Sequence, residues 1–319
     1  MEDLFKDNSE QLNLFGETEE EELRKSLFDR FIVPPFSVFD GRQGYWQNRK
    51  NMWKRLGIKS ELGRAERLVF NINSFNATED KRLREAGNGE TTAPTTSIFD
   101  PVLCELAYRW FCPSGGKIID PFAGGSVRGI VGGVLGYEYL GIDLRQEQVE
   151  ANYANCKEVL DGNAQVRYIT GDSKTVLPTI EPSSFDMAFT CPPYYDLEVY
   201  SDNPQDISNM DWQDFQEAYA DILGSAARLL KDNSFFAIVV GDVRDKNGDY
   251  RRLPSLTQSI MQANGLSLYN DIVYLTPVGS ASIRVSGQFE ASRKVCSVHQ
   301  YFQVYLKGNA REATKKAKE

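Results

Sequence analysis

The sequence of 319 residues predicts an α/β fold with a mostly parallel, doubly wound sheet. From Ile98 onward, short apolar runs alternate with segments of helical periodicity, which is typical of βαβ units. Several of the apolar runs end in an acidic residue or a Gly-rich turn, which is where parallel sheets bind ligands. The chain is also long enough to bury a sizeable core.

The predicted elements follow one another in a regular order. We predict helices at 42–56, 101–111, 127–135, 146–160, 211–230 and 256–264. We predict strands at 117–120, 139–143, 166–170, 185–190, 235–240, 268–275 and 300–306. The helix after Asp211 has the clearest pattern, because its apolar residues recur at helical spacing from Trp212 to Leu230.

Composition divides the chain into four parts. Residues 1–27 form an acidic, polar arm that we expect to be mobile. Residues 28–95 form a basic and aromatic N-terminal extension, and residues 71–96 read as a loop that marks its boundary. Residues 96–307 contain the predicted sheet, and we expect residues 308–319 to fray.

The helix predicted at 42–56 interleaves Tyr45, Trp46 and Trp53 with lysine and arginine. Aromatic and basic side chains together suit contact with nucleic acid. The alternative is an ordinary amphipathic helix whose aromatic side chains belong to the core and whose cations are solvated. Both interpretations stay open at this point.

Composition also excludes several classes of protein. No apolar run approaches the roughly 20 residues of a membrane helix and the N-terminus resembles no secretion signal, so we expect a cytoplasmic protein without a membrane partner. The five cysteines form no C-x-x-C pair and His299 is the single histidine, which disfavours a disulfide framework and a metal site. The net charge of −9 disfavours general affinity for nucleic acid, although the excess of basic residues between Asp29 and Arg67 allows one basic face.

Three successive predicted strands lead into acidic residues, namely Asp120, Asp143 and Asp172. Each alone is most simply a cap or turn residue, but parallel strands bring all three to one edge of the sheet, where a nucleotide-like ligand fits. Gly124 and Gly125 let such a ligand approach the backbone. The chain lacks G-x-G-x-x-G and the lysine of a P-loop, so neither a dinucleotide nor a triphosphate is favoured.

The parts of such a ligand can be assigned to particular residues. Asp143, with Leu144 beside it, is placed to accept hydrogen bonds from ribose hydroxyls. Asp172 and Ser173 are placed to bind an adenine edge. The acidic first turn suits a cation, such as the amino group of a methionine moiety.

Two motifs carry a resemblance to a known family. The first, at 120–126, reads D-P-F-A-G-G-S, and the second, at 190–195, reads T-C-P-P-Y-Y. The pair resembles the DNA amino-methyltransferases, class I S-adenosylmethionine-dependent enzymes that modify N6 of adenine or N4 of cytosine. The resemblance spans roughly residues 96–307 and includes D-V-R at 242–244 and H-Q-Y-F at 299–302.

The resemblance implies a class I methyltransferase fold, S-adenosyl-L-methionine as cofactor and double-stranded DNA as partner. It implies that the cofactor's methionine part is held by the first motif, which comprises Asp120, Pro121, Phe122, Ala123, Gly124, Gly125 and Ser126. It implies a catalytic tetrad of Cys191, Pro192, Pro193 and Tyr194, in which Tyr194 stacks on a flipped-out base. Residues 34–38 and 45–46 resemble phage and prophage methylases, and restriction–modification is the setting expected for such enzymes.

The motifs depart from the family pattern at two places. Gly125 and Ser126 are exchanged relative to the usual G-S-G, and Cys191 stands where the family has Asp, Asn or Ser. The thiol is interpreted as a stand-in for serine, as a nucleophile that adds to pyrimidine C6 for C5 alkylation, or as a sign of an inactive protein that only binds DNA. Thr190 favours N4 of cytosine, while RNA stays an alternative substrate.

Further basic residues lie in two predicted loops. Arg284, Arg293 and Lys294 lie in the loop predicted at 276–298, and Arg251 and Arg252 lie in another. We expect these cations either to contact DNA or to be solvated.

Overall fold

The computed structural model describes residues 27–59, 99–197, 201–278 and 281–318, with the side chains of 281–284 excepted. Apart from residue 27, the predicted mobile arm lies outside the described residues, as does the whole of the loop predicted at 71–96. The chain divides into two compact units, Met1–Ser37 and Val38–Glu319. In the first unit residues 27–31 are helical, and everything below concerns the second.

The second unit is built on an eight-stranded sheet within the described residues. Its strands are β1 (Val38–Asp40), β2 (Lys117–Asp120), β3 (Glu138–Asp143), β4 (Val166–Thr170), β5 (Phe185–Thr190), β6 (Leu230–Val240), β7 (Leu266–Leu275) and β8 (His299–Lys307). The spatial order is β1-β7-β8-β6-β5-β2-β3-β4. Every neighbouring pair is parallel except the two that involve β8, which runs antiparallel to β6 and β7.

Helices cover both faces of this sheet. They are α1 (Gly44–Arg55), α2 (Pro101–Phe111), α3 (Val127–Val134), α4 (Gln146–Val159), α5 (Ser173–Val176), α6 (Trp212–Leu229), α7 (Leu253–Ala263), α8 (Ala281–Ser292) and α9 (Ala310–Ala317). Successive residues of β5 face opposite sides: Ala188 belongs to the core cluster with α6, while the ring of Phe189 lies 5.6 Å from that of Tyr108 in α2. The predicted doubly wound α/β fold is confirmed.

The sequence of α6 explains its length and its orientation. Asp211 caps it by accepting hydrogen bonds from the backbone N–H groups of Gln213 and Asp214, both at 2.9 Å. Its apolar stripe is buried against the sheet and comprises Phe215, Ala218, Tyr219, Ile222, Leu223 and Ala226. This helix and α7 form the core on one face.

The N-terminal extension joins the sheet through β1. Val38 pairs with Val273 and Asp40 with Leu275, so β1 forms an edge strand beside β7. The following helix α1 packs on α2, with Trp46 fully buried and Trp53 nearly so. These two tryptophans are therefore core residues, as the second interpretation of this helix expects, whereas Tyr45 is 40% exposed.

Two predictions of irregular structure are wrong. The tail expected to fray contains α9, because Asn309 caps it by accepting from the backbone N–H of Arg311 at 2.9 Å and Ala313 is buried. Lys316 also ties the helix to the carbonyl of Asp232 at 2.7 Å. The loop expected at 276–298 contains α8, which gave little signal because its sequence has three Ser and one Gly, both weaker helix formers than Ala.

Candidate functional site

A cavity of about 800 Å³ opens at the carboxyl ends of the parallel strands. The predicted residues that line it are Pro121, Phe122, Gly124, Gly125, Asp143, Leu144, Asp172, Ser173, Cys191, Pro192, Pro193 and Tyr194. The other three predicted residues, Asp120, Ala123 and Ser126, are buried and do not line it. The structure thus brings both motifs to one cavity.

Asp120 lies beneath the turn of the first motif and is fully buried. Its Oδ1 accepts from the Thr190 hydroxyl at 2.7 Å, and its Oδ2 accepts from the Tyr139 hydroxyl at 2.7 Å and from Arg128 Nε at 2.5 Å. The backbone N–H of Phe122 completes its partners at 3.1 Å. Asp120 therefore stabilises the turn from below, which differs from the direct contact with a methionine amino group that we expected.

Arg128 is a site residue that the motifs did not reveal. It is buried in α3 and donates to the carbonyl oxygens of Phe122 at 2.5 Å and Ala123 at 2.9 Å. Burial disfavours its charge, but the Asp120 carboxylate, together with smaller contributions from Tyr139 and Cys191, outweighs that effect and raises the pKa of Arg128. The sequence carried one signal for this role, because Arg128 is a cation among the apolar residues of α3.

Gly124 and Ser126 explain how the turn faces the cavity. Gly124 has a φ of +49°, in the left-handed region that side chains other than glycine rarely adopt. Its carbonyl accepts from Asn152 Nδ2 at 2.7 Å, which fixes the loop to α4. Ser126 points away from the cavity and donates to Asn155 Oδ1 at 2.8 Å.

Asp143 lies at the end of β3 and faces the cavity. Its Oδ1 accepts from the backbone N–H of Arg145 at 2.9 Å. Burial raises the pKa of Asp143 to about 6, although the Arg145 and Gly124 backbone N–H groups oppose the shift, and the nearby charge of Asp206 adds to it. A desolvated carboxylate of this kind is a strong acceptor for hydroxyl groups.

Asp172 and Ser173 lie at the adjoining end of β4. Asp172 caps the short helix α5 by accepting from the Lys174 backbone N–H at 2.9 Å. The Ser173 hydroxyl donates to the carbonyl of Pro121 at 2.5 Å, which links α5 to the first motif. Both residues therefore have structural partners and still line the cavity.

The tetrad follows β5 and is joined to β6 through its tyrosine. The Tyr194 hydroxyl lies 3.4 Å from Cys191 Sγ and 3.5 Å from the carbonyl of Val239. The Tyr194 ring lies against Gly241, where a Cβ would come within 2.9 Å of ring atom Cε2. Glycine at 241 is thus what allows the ring to lie over the end of β6.

Arg251, one of the predicted loop cations, lies beside the segment that follows the tetrad. Its guanidinium carbon is 4.6 Å from the ring centroids of both Tyr195 and Trp212. Tyr195 has a φ of +56°, so this contact holds a strained residue in place. Arg251 stabilises the loop after the tetrad, a role that its sequence context did not indicate.

A buried polar cluster that sequence reasoning missed forms another wall of the cavity. We call it the Asp100 cluster, and it comprises Trp46, Lys50, Asp100 and Tyr274. Asp100 Oδ2 accepts from Trp46 Nε1 at 3.2 Å, from Lys50 Nζ at 2.9 Å and from the Tyr274 hydroxyl at 2.8 Å. No local pattern predicts it, because its members come from α1, the cap of α2 and β7.

The sheet order and the site together define a class. A parallel sheet in which an antiparallel β8 lies between β6 and β7 has the strand order of the class I methyltransferase fold. The glycine turn after β2, the acid at the end of β3 and the tetrad after β5 occupy the positions expected for that fold. The predicted fold class is confirmed.

Comparison with known proteins adds a related sequence. No protein-family model matches the chain. A segment of 145 residues, 43% of the chain, is 29% identical to the Type II beta methyltransferase M.BslI of Bacillus sp. strain NEB-606, of which it covers 15% of the length. The resemblance to a methyltransferase that the two motifs predict is confirmed.

Solved structures include two comparable proteins. TrmN from Thermus thermophilus shares 17% identity over 67% of this chain and 51% of that one, with a TM-score of 0.46. A candidate DNA modification methylase from the same species, solved with S-adenosyl-L-methionine, shares 20% identity over 43% of this chain and 54% of that one, with a TM-score of 0.33. Among the described residues of the present chain, no helix has the length and apolar character needed to cross a membrane.

Proposed function

We propose that this protein transfers the methyl group of S-adenosyl-L-methionine to an exocyclic amine of a DNA base, N4 of cytosine in preference to N6 of adenine. The observation that carries the proposal is the hydrogen bond from the Thr190 hydroxyl to Asp120. It joins the end of β5, from which the tetrad extends, to the carboxylate beneath the cofactor-type turn. A methyl donor on that turn and an amine at the tetrad would therefore meet in one cavity.

The cavity residues fit this cofactor. Asp143 suits the ribose hydroxyls, since its carboxylate is desolvated and already oriented by the backbone of Arg145. Asp172 and Ser173 suit the adenine, and the backbone of Gly124 and Gly125 suits the methionine part. When bound, S-adenosyl-L-methionine supplies an electrophilic methyl group on a sulfonium centre.

The tetrad suits an amine whose lone pair is delocalised into an aromatic ring. Hydrogen bonds from the amino group to the backbone carbonyl at Pro192 and to Cys191 would favour a tetrahedral nitrogen that can attack the methyl group. The Tyr194 ring, held over Gly241, offers a stacking surface for a base turned out of the duplex. The cavity volume of about 800 Å³ is within the range that holds a nucleoside-sized ligand.

The preference for N4 of cytosine rests on Thr190, because a small hydroxyl residue before C-P-P-Y resembles the S/T-x-P-P pattern of the cytosine enzymes. The curated relative is a Type II methyltransferase, so we propose a restriction–modification setting in the cytoplasm. The thiol of Cys191 acts in this proposal as a weak acceptor in place of serine.

Isotope-labelled S-adenosyl-L-methionine incubated with mixed-sequence double-stranded DNA, followed by nucleoside mass spectrometry, tests the proposal. Label in N4-methylcytosine or N6-methyladenine supports transfer to an amine. Label in C5-methylcytosine alone overturns it in favour of a nucleophilic Cys191, and transfer to RNA alone overturns the choice of DNA. A Cys191→Ser variant that keeps its activity excludes the nucleophile, because serine cannot replace a thiolate.

A further inference from the structure

The proposed function, on which this inference rests, requires a partner for the carboxylate of the cofactor's methionine part. The carboxylate of an amino acid binds most strongly to a cation with donors to spare. The cations that line the cavity within the described residues are Lys50, Arg128 and Arg145.

The two arginines are buried, at 5% and 9% exposure, and bind groups in the walls of the cavity. Arg128 uses Nε on Asp120 and NH2 on the carbonyl oxygens of Phe122 and Ala123. Arg145 donates from NH2 to Gln148 Oε1 at 2.7 Å. Both therefore stabilise the walls of the cavity.

Lys50 differs from the two arginines. Its ammonium carries three donors, and one of them binds Asp100 Oδ2 at 2.9 Å. Its side chain is 17% exposed and lines the cavity, so it is partly desolvated yet accessible from the cofactor side. In a partly desolvated place the ammonium group makes a stronger hydrogen bond to a ligand carboxylate than a fully exposed ammonium group does.

Asp100 holds Lys50 in position. The carboxylate is 5% exposed and fixed by the Trp46 and Tyr274 donors and by the backbone N–H of Val102 at 3.0 Å. It also lies close to the first motif, because the preceding residue, Phe99, stacks under the Arg128 guanidinium at 4.6 Å. The same Arg128 binds the carbonyl oxygens of that turn.

From these contacts we infer that Lys50 of the N-terminal helix binds the α-carboxylate of S-adenosyl-L-methionine, and that Asp100 is its positioning residue. The N-terminal extension is then part of the cofactor site. Asp120, which is enclosed by its own partners, contributes to that site only by shaping the turn.

Calorimetric titration with three ligands tests this inference without any DNA. The ligands are S-adenosyl-L-homocysteine, which has the carboxylate, decarboxylated S-adenosylmethionine, which keeps the amine but lacks the carboxylate, and 5′-methylthioadenosine, which lacks the whole amino acid part. Lys50→Met should weaken S-adenosyl-L-homocysteine binding by about tenfold to a hundredfold, since a charge-assisted hydrogen bond is lost. It should change the affinity for the other two ligands less than threefold, and the exposed neighbour Lys54 provides the matched control Lys54→Met.

The alternative is that Lys50 only neutralises Asp100. The double variant Lys50→Met with Asp100→Asn removes the uncompensated charge, so it separates the two explanations. We expect it to keep the selective loss of S-adenosyl-L-homocysteine binding, and recovery of wild-type affinity would overturn the inference. Equal weakening of all three ligands would overturn it as well. A wild-type protein that binds none of the three ligands would instead refute the proposed function.

Discussion

The buried ion pair between Arg128 and Asp120 offers the sharpest test of how the cofactor-type turn is held. Both side chains are almost completely buried, at 6% and 0% exposure. Replacing Arg128 by Met removes the charge partner of Asp120 and the donor to the carbonyl oxygens of Phe122 and Ala123. Breaking a buried pair from one side costs about 3–5 kcal/mol. Since Asp120 keeps its donors from Thr190, Tyr139 and the backbone, we expect a loss near the lower limit, about 3 kcal/mol.

Urea unfolding followed by circular dichroism measures this loss. The matched control is Arg109→Met, because Arg109 pairs with Glu105 at 3.3 Å but is half-exposed, and such pairs contribute about 0–1 kcal/mol. Adding Asp120→Asn to Arg128→Met should restore about 2 kcal/mol or more, because the uncompensated charge is gone. Equal costs for the two arginines, or strictly additive effects of Asp120→Asn and Arg128→Met, would refute this account of the turn.

Further predictions concern Asp143, Gly241 and Cys191. Asp143→Asn should weaken S-adenosyl-L-homocysteine binding on the order of tenfold to a hundredfold by calorimetry, since charge-assisted hydrogen bonds to the ribose are lost. Because the pKa of Asp143 is raised to about 6, wild-type affinity should fall about tenfold from pH 8 to pH 5 while the variant stays flat. The same raised pKa also affects stability, because the ligand-free folded protein binds a proton at Asp143 at a higher pH than the unfolded chain does. The contribution of Asp143 to the free energy of unfolding should therefore rise as the pH falls from about 6 towards 4. Gly241→Ala should reduce methyl transfer at least tenfold and leave cofactor binding unchanged, because the Cβ of the new alanine displaces the Tyr194 ring. Unchanged methyl transfer would contradict this role for the glycine. Iodoacetamide should modify the partly exposed Cys191 and Cys296 faster than the other three cysteines, because burial raises the thiol pKa values of Cys104, Cys112 and Cys156. Peptide mass spectrometry should show that S-adenosyl-L-homocysteine protects Cys191 but not Cys296.

The parallel part of the sheet was predictable because each strand from β2 to β5 is a short apolar run bounded by turn residues. The strand β1 was not, since it is three residues long and its partner β7 lies far along the chain. Phe39 of this strand packs on Trp46 and pairs with Tyr274, and no local pattern reveals these contacts. The helix α9 did carry a signal, because Asn309 is a good N-cap, but its stability depends on contact with Asp232.

The site shows the same division between local and long-range information. The motif residues were found because each motif is contiguous, and the structure brings both to one cavity. The sequence did not reveal the partners of Asp120. A carboxylate at the end of a strand has the same sequence context whether it faces a ligand or binds an arginine behind the turn. In the structure Arg128 binds Asp120 and Lys50 binds Asp100, and these contacts form only once α1, α2, α3 and the turn after β2 are packed together.

The contacts of Tyr194 bear on the role of Cys191. A tyrosine hydroxyl has one hydrogen to donate, and the carbonyl of Val239 is an acceptor for it at 3.5 Å. If that bond forms, the contact of 3.4 Å with Cys191 Sγ is made by a thiol that donates to the hydroxyl. In that arrangement the sulfur keeps its lone pairs, so it can still accept a hydrogen bond from an exocyclic amine, as the proposed role in place of serine needs.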